Sequence, residues 1–208
     1  MKKFLLTALT FILLIGCSTL KGRDVDYSNG KATQEQINDV FTQHKDSVVA
    51  ILSTSTDRAV GSGVCIGYNQ IDNETYVVTA QHVMKLGVRK VLNTELNQSF
   101  DITTMFRHPT KDMGVLVIKG RLPFTNVYTG KPLSDYDIII GYIDGEFNKK
   151  LPLAGRAVPG QSGGGVFSNK VGFFATVSTT GDAVETWTAL QEMKKTNLIG
   201  LTVSTNAK

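Results

Sequence analysis

The stretch Ala157–Phe167, AVPGQSGGGVF, decides the reading of this chain. Four glycines and a serine occupy the six positions from Gly160 to Gly165, between Val158 on one side and Val166 and Phe167 on the other. A glycine cluster can be flexible punctuation, a phosphate cradle or the seat of a nucleophile. Linkers are not usually set so tightly between apolar residues. The lysine and following Ser/Thr of a phosphate loop are missing. What remains is a tight turn that carries Ser162 between two segments with the texture of buried strands.

The flanking sequence has the same texture. From Ser47 onward the chain runs through SVVAILST, VGSGVCIG, TYVVTA, FDITTMF, GVLVIKG, YDIIIGY, GGVFS and VGFFATVS. These runs are short, rich in valine, isoleucine and aromatics, and separated by glycine, asparagine, aspartate or proline. Such spacing predicts an all-β barrel or sandwich, and no strand–helix alternation points to a parallel sheet. Two helices flank the β region. In TQEQINDVFTQH, Thr33 and Gln36 form a capping-box pattern, and Ile37, Val40, Phe41 and His44 share one face. In AVETWTALQEMKK, Val184, Trp187, Leu190 and Met193 fall on one helical face that would dock on the β domain.

The chain has three histidines, so each can be weighed. His44 closes the first helical stripe and reads as a helix residue. His82 follows a strongly β-forming run in YVVTAQHVM. His108 stands before Pro109, four residues ahead of Asp112, and reads as a turn residue with a fallback role as a base. Asp112 opens the aliphatic run GVLVI. Taken singly, His82 could be a satisfied core histidine and Asp112 a strand cap. In chain order the chemistry-bearing residues are His82, Asp112 and Ser162.

Together, GSGVCIG, YVVTAQHV, HPTKDMGVLVI and PGQSGGGVF resemble the chymotrypsin-fold, or trypsin-like, serine peptidases. The nearest texture is the compact bacterial branch of HtrA-type and glutamyl endopeptidases. The resemblance spans residues 46–180. It implies two six-stranded antiparallel β-barrels packed together, here with an N-terminal and a C-terminal helix. It implies Ser162 as nucleophile, His82 as general base and Asp112 as the carboxylate that orients the imidazole. A serine hydroxyl needs such a base to become a nucleophile, and the carboxylate fixes the tautomer. The backbone N–H groups of Gly160 and Ser162 would form the oxyanion hole, in a turn whose shape glycine adopts cheaply. Arg156 and Ala175, Thr176 and Val177 correspond loosely to the specificity pocket. A buried Arg156 would favour an acidic residue before the scissile bond; a solvent-facing one would leave a small, apolar-tolerant pocket near Thr176.

The sequence also departs from the family. Gln161 stands where pancreatic-type enzymes have an aspartate that pairs with a newly cut N-terminus. Activation by that ion pair is therefore not expected. Gly165 stands where proline is frequent, and Gln81 stands where alanine or asparagine is common.

The N-terminus carries a second motif. MKKFLLTALTFILLIGCS opens with Lys2 and Lys3, runs apolar from Phe4 to Ile15 and ends on Gly16-Cys17, the pattern of a secretory signal peptide. Leu14-Ile15-Gly16-Cys17 resembles the lipobox of bacterial lipoproteins, which implies a signal at 1–16, lipidation of Cys17 and a tether over 17–32 ahead of a peptidase domain at 33–208. Ser18 leans towards the outer membrane, periplasmic side, in a Gram-negative host. Removing residues 1–16 takes away two lysines and no acid, lowering the formal charge from +4 to +2. No Lys/Arg-rich run remains to support nucleic-acid binding. Cys65, the other cysteine, lies in an apolar run and reads as a small buried hydrophobe. No metal or cofactor is implied.

The expectation is thus a lipid-anchored, extracytoplasmic serine endopeptidase acting on polypeptides through an acyl-enzyme. The rivals are a catalytically silent protease-fold binding protein of the cell envelope, an esterase using the same triad, and a membrane-tethered interaction protein.

Overall fold

The computed structural model describes residues 32–54, 58–131, 134–143, 146–148, 160–178, 183–195 and 205–206. Helix α1, Gln34–His44, begins with the expected capping box: Thr33 accepts from Gln36 N–H, and the Gln36 side chain accepts from Thr33 N–H. It buries Ile37, Val40 and Phe41, and a 3-10 turn at Lys45–Ser47 leads into the first strand.

Six strands follow: β1 Val48–Ser53, β2 Ala59–Asn69, β3 Glu74–Thr79, β4 Val88–Asn93, β5 Gln98–Arg107 and β6 Gly114–Lys119. A four-residue helix, α2 Gln81–Met84, follows β3. The strands close into a barrel in the order β1-β2-β3-β6-β5-β4, with every neighbouring pair antiparallel. Side chains alternate between the two faces of a strand. Here the alternation sends Val49, Ile51, Cys65, Val77, Leu116 and Ile118 into one apolar cluster, the barrel interior. Val48, Ala50, Val64, Val78, Val115 and Val117 go to a second cluster, shared with α1 and the C-terminal half. Burial on both faces explains the unbroken apolar runs in β1, β3 and β6. Cys65 is fully buried, as the sequence implied.

The second half contains β7 Val127–Tyr128, β8 Asp137–Ile143, β9 Glu146–Asn148, β10 Gly165–Ser168, β11 Gly172–Val177, β12 Ala183–Glu185 and β13 Thr205–Asn206. Helix α3 is Thr186–Lys195. A five-stranded sheet has the order β12-β11-β10-β8-β9, and β13 pairs with β7 in parallel. A second closed six-stranded barrel is not seen among the described residues, which show a five-stranded sheet and a two-stranded one in this half. The helix read over 183–195 starts three residues later than expected. Ala183–Glu185 pair with Val177–Ala175 instead, so the sheet ladder claims them before α3 begins. Residues 1–31, including the signal-peptide motif and Cys17, lie outside the described residues.

Candidate active site

The closed barrel brings His82 and Asp112 together. Strand β3 ends at Thr79, and α2 places His82 one turn beyond it. Asp112 sits in the short loop before β6, whose first residue Gly114 pairs with Thr79. The Asp112 carboxylate takes both the backbone N–H and the ring of His82: Oδ1 lies 2.9 Å from His82 N, and Oδ2 lies 2.8 Å from Nδ1. A third donor is Ser178, immediately after β11, whose hydroxyl reaches Oδ2 at 2.8 Å.

These contacts set the protonation state. Burial pushes the Asp112 carboxyl up, but the bonds from the His82 ring, the His82 backbone and Ser178 outweigh it and hold the group below its ordinary value. An ionised carboxylate only accepts, so Nδ1 of His82 carries the proton of this bond. The arrangement leaves Nε2 as the ring nitrogen turned away from the carboxylate, which is the geometry a general base needs.

The glycine-rich turn is fixed between the two halves. Gly163 has φ of +82°, and an added Cβ there would fall 2.2 Å from Ser62 O and from Thr79 Oγ1, and 2.9 Å from Ala80 N. The residue after Ser162 is thus seated against the last residues before α2. On the other side, Gly163 N–H donates to Val177 O and Val177 N–H to Gly164 O, extending the β10–β11 ladder. Gly160 also takes a left-handed φ, +94°. Gln161 is fully buried, and its carbonyl accepts from Gly164 N–H at 2.8 Å. The turn is held by backbone bonds and side-chain burial around a neutral Gln161.

The other candidates fall elsewhere. His108 is buried, with its Nδ1 hydrogen-bonded and its Nε2 within ion-pair distance of Glu192 but without a hydrogen bond among the described residues. Nδ1 accepts from Thr110 N–H at 3.2 Å and Lys111 N–H at 2.9 Å, while Nε2 lies 2.9 Å from Glu192 Oε2 of α3. It shapes the loop that presents Asp112, and the fallback role as a base has no lone pair to use. His44 ends α1, with its ring stacked on Phe167 at 4.6 Å. Of the pocket residues, Ala175 and Val177 are buried beside Ile139, Val166 and Phe174. Thr176 is fully buried, with its hydroxyl 2.9 Å from that of Thr186 at the start of α3. Arg156 lies outside the described residues.

The sequence reading missed three polar residues that build this site. Ser178 completes the Asp112 shell. Gln81 reaches from beside His82 to the His108 carbonyl at 2.7 Å and so ties α2 to the Asp112 loop. Thr79 donates to the Ser62 carbonyl at 2.7 Å under the turn. A lone serine or threonine at a strand end carries no pattern, since its partners lie far away in sequence.

No family model matches the chain, and no curated protein matches it. Solved structures do. The chain is similar to the inactive form of the Mycobacterium tuberculosis protease Rv3671c. It is 19% identical, with a TM-score of 0.57, over 82% of this chain and 97% of that one. A serine-to-alanine mutant of the same protein, also in its inactive form, gives 18% identity and a TM-score of 0.58 over 84% and 99%. The serine endoprotease of Yersinia pestis gives 17% identity and a TM-score of 0.59 over 80% of this chain and 67% of that one. At these identities the likeness is one of fold, shared with these two proteases.

Proposed function

We propose that the chain is a serine endopeptidase in which Ser162 attacks a peptide carbonyl, His82 Nε2 accepts its proton and Asp112 holds the imidazole. The observation that carries this reading is the His82–Asp112 pair, with Nδ1 bound to an ionised, threefold hydrogen-bonded carboxylate. The pair is half-buried rather than sealed in the core, so the side of the imidazole away from Asp112 is open to a reacting partner.

In the first step the Ser162 oxygen bonds to the carbonyl carbon as its proton moves to His82. The backbone N–H groups of Gly160 and Ser162 stabilise the oxyanion. Collapse expels the amine, which takes the proton from His82, and leaves an acyl-enzyme on Ser162. A water activated by the same imidazole then hydrolyses that ester. Losing one oxyanion donor typically costs about 10²–10³ in rate. With neutral Gln161 before the nucleophile, the turn takes its shape from folding and not from an ion pair to a cut N-terminus.

A preference for small or apolar side chains follows from the family correspondence alone, since Ala175, Thr176 and Val177 are themselves buried in the C-terminal sheet. Arg156, if it faces the pocket, shifts the preference to acidic ones. The lipobox at Leu14–Cys17 anchors the mature protein by an acylated Cys17 to the periplasmic side of a membrane, so the substrates are envelope polypeptides. Digestion of a peptide library and of labelled casein tests the reading. Cleavage by wild type and none by Ser162→Ala is expected. Folded wild type that hydrolyses simple esters but no peptide contradicts it, and a strict lysine/arginine profile contradicts the pocket assignment.

A further inference from the structure

The GSG run at Gly61–Gly63 lies outside the proposed chemistry, yet its serine is a point of convergence. Ser62 is fully buried in β2, and four hydrogen bonds meet on it. Its N–H donates to Ser162 O at 2.8 Å. Its carbonyl accepts from Thr79 Oγ1 at 2.7 Å. Its hydroxyl oxygen accepts from Tyr142 N–H of β8 at 2.7 Å and donates to Gly160 O at 3.3 Å. One residue of the N-terminal barrel therefore grips the turn at both Gly160 and Ser162, and grips the C-terminal sheet at Tyr142.

From this geometry we infer that Ser62 is a positioning residue for the oxyanion turn, acting through its hydroxyl. A trans peptide points its C=O and N–H in opposite directions. Gln161 C=O is turned to Gly164 N–H, so Ser162 N–H points the other way. That orientation holds only while the carbonyls on either side of Gln161 stay fixed, and both end on Ser62. The Ser162 carbonyl is held by a backbone bond that any residue at 62 could supply. Among the described residues, the bond to the Gly160 carbonyl comes from the hydroxyl. Removing that hydroxyl takes away the bond to the Gly160 carbonyl and the acceptor that Ser62 gives to Tyr142 N–H. The barrel and the His82–Asp112 pair are untouched.

The inference rests on the peptidase reading for its consequence in catalysis, but not for its structural content, and the test separates the two. Full-length wild type, Ser62→Ala and the near-isosteric Ser62→Cys are compared by amide hydrogen exchange and by the rate of fluorophosphonate labelling at Ser162. In Ser62→Ala, exchange at Gly163, Gly164 and Tyr142 rises about tenfold while β3 and β6 stay protected. Labelling slows about 10- to 100-fold with its pH midpoint unchanged, because His82 and Asp112 are intact. Ser62→Cys falls between, and it carries the comparison if the alanine variant does not fold. Unchanged exchange over 160–164 overturns the inference whatever the activity. A labelling rate that falls only in proportion to the unfolded fraction overturns it too. If wild type shows no labelling, the peptidase reading fails, and the exchange data still decide the role of Ser62.

Discussion

The two halves of the molecule divide the work unequally. The N-terminal half is a closed barrel whose strands are mostly buried on both faces, and it supplies His82 and Asp112 within one local frame: β3, α2 and the loop before β6. The C-terminal half is an open sheet among the described residues, and it supplies the Ser162 turn. The proposed base and its carboxylate would need fixed mutual geometry throughout a reaction, and His82 and Asp112 sit where strand faces are packed on both sides. The turn needs alignment to that frame, and it is aligned by contacts across the seam: Ser62 to Ser162, Thr79 and Ala80 against Gly163, and Ser178 back to Asp112.

Breaking the barrel's contribution has the largest effect. Asp112→Asn keeps the shape but presents the wrong hydrogen-bond pattern to Nδ1, and kcat falls by about 10⁴. Steady-state kinetics with a cleaved peptide checks this, and a loss below tenfold shows that the pair does not drive the reaction. Breaking the seam comes next. Gly163→Ala forces a Cβ into Ser62 O and Thr79 Oγ1 at a left-handed φ, and costs about 3 kcal/mol or more in chemical unfolding. A cost under about 1 kcal/mol means that the turn is not held against the barrel.

Two weaker changes sharpen the comparison. His44 docks α1 on Phe167 of the C-terminal sheet, and burial holds its pKa near 4, below the ordinary 6.5. The folded state therefore binds this proton less readily than the unfolded chain. The stabilisation is complete above 6.5 and is lost as pH falls from 6.5 towards 4, by up to about 3 kcal/mol. His44→Phe keeps a ring on Phe167 and should flatten the stability–pH curve in that window, measured by urea unfolding at stepped pH. An unaltered slope assigns the acid sensitivity elsewhere. Ser178→Ala removes the Ser178 hydroxyl bond to the Asp112 carboxylate and slows turnover about tenfold. Asp112 is held below its ordinary 3.8, so its bonds stabilise the fold above that value and are lost as pH falls through the lower folded value. Losing Ser178 raises the folded value and moves that loss to higher pH.

The same contrast governs what could be read in advance. β1, β3 and β6 were legible because burial on both faces makes each a continuous apolar run. Strand β4, VRKVLN, was passed over because Arg89 and Lys90 interrupt it, with Arg89 facing solvent. β12 was folded into a helix because Val184 fits a helical stripe, and only its pairing with Thr176 reveals a strand. His82 and Asp112 stood out by residue type and order. Ser178 did not, because its partner lies 66 residues away in the chain, and Ser62 stood out only as part of the GSG run, its bond to Gly160 lying 98 residues away. A hydroxyl's partner is a tertiary fact, and no local spacing encodes it.

The most direct test of the central claim, that Ser162 is a nucleophile activated by His82 and Asp112, is covalent labelling of the full-length protein by a fluorophosphonate, located by mass spectrometry. The account predicts one adduct, on Ser162, which is absent in Ser162→Ala and slowed at least 10²-fold in His82→Ala. Folded wild-type protein that takes no adduct, or takes it equally fast without His82, contradicts it.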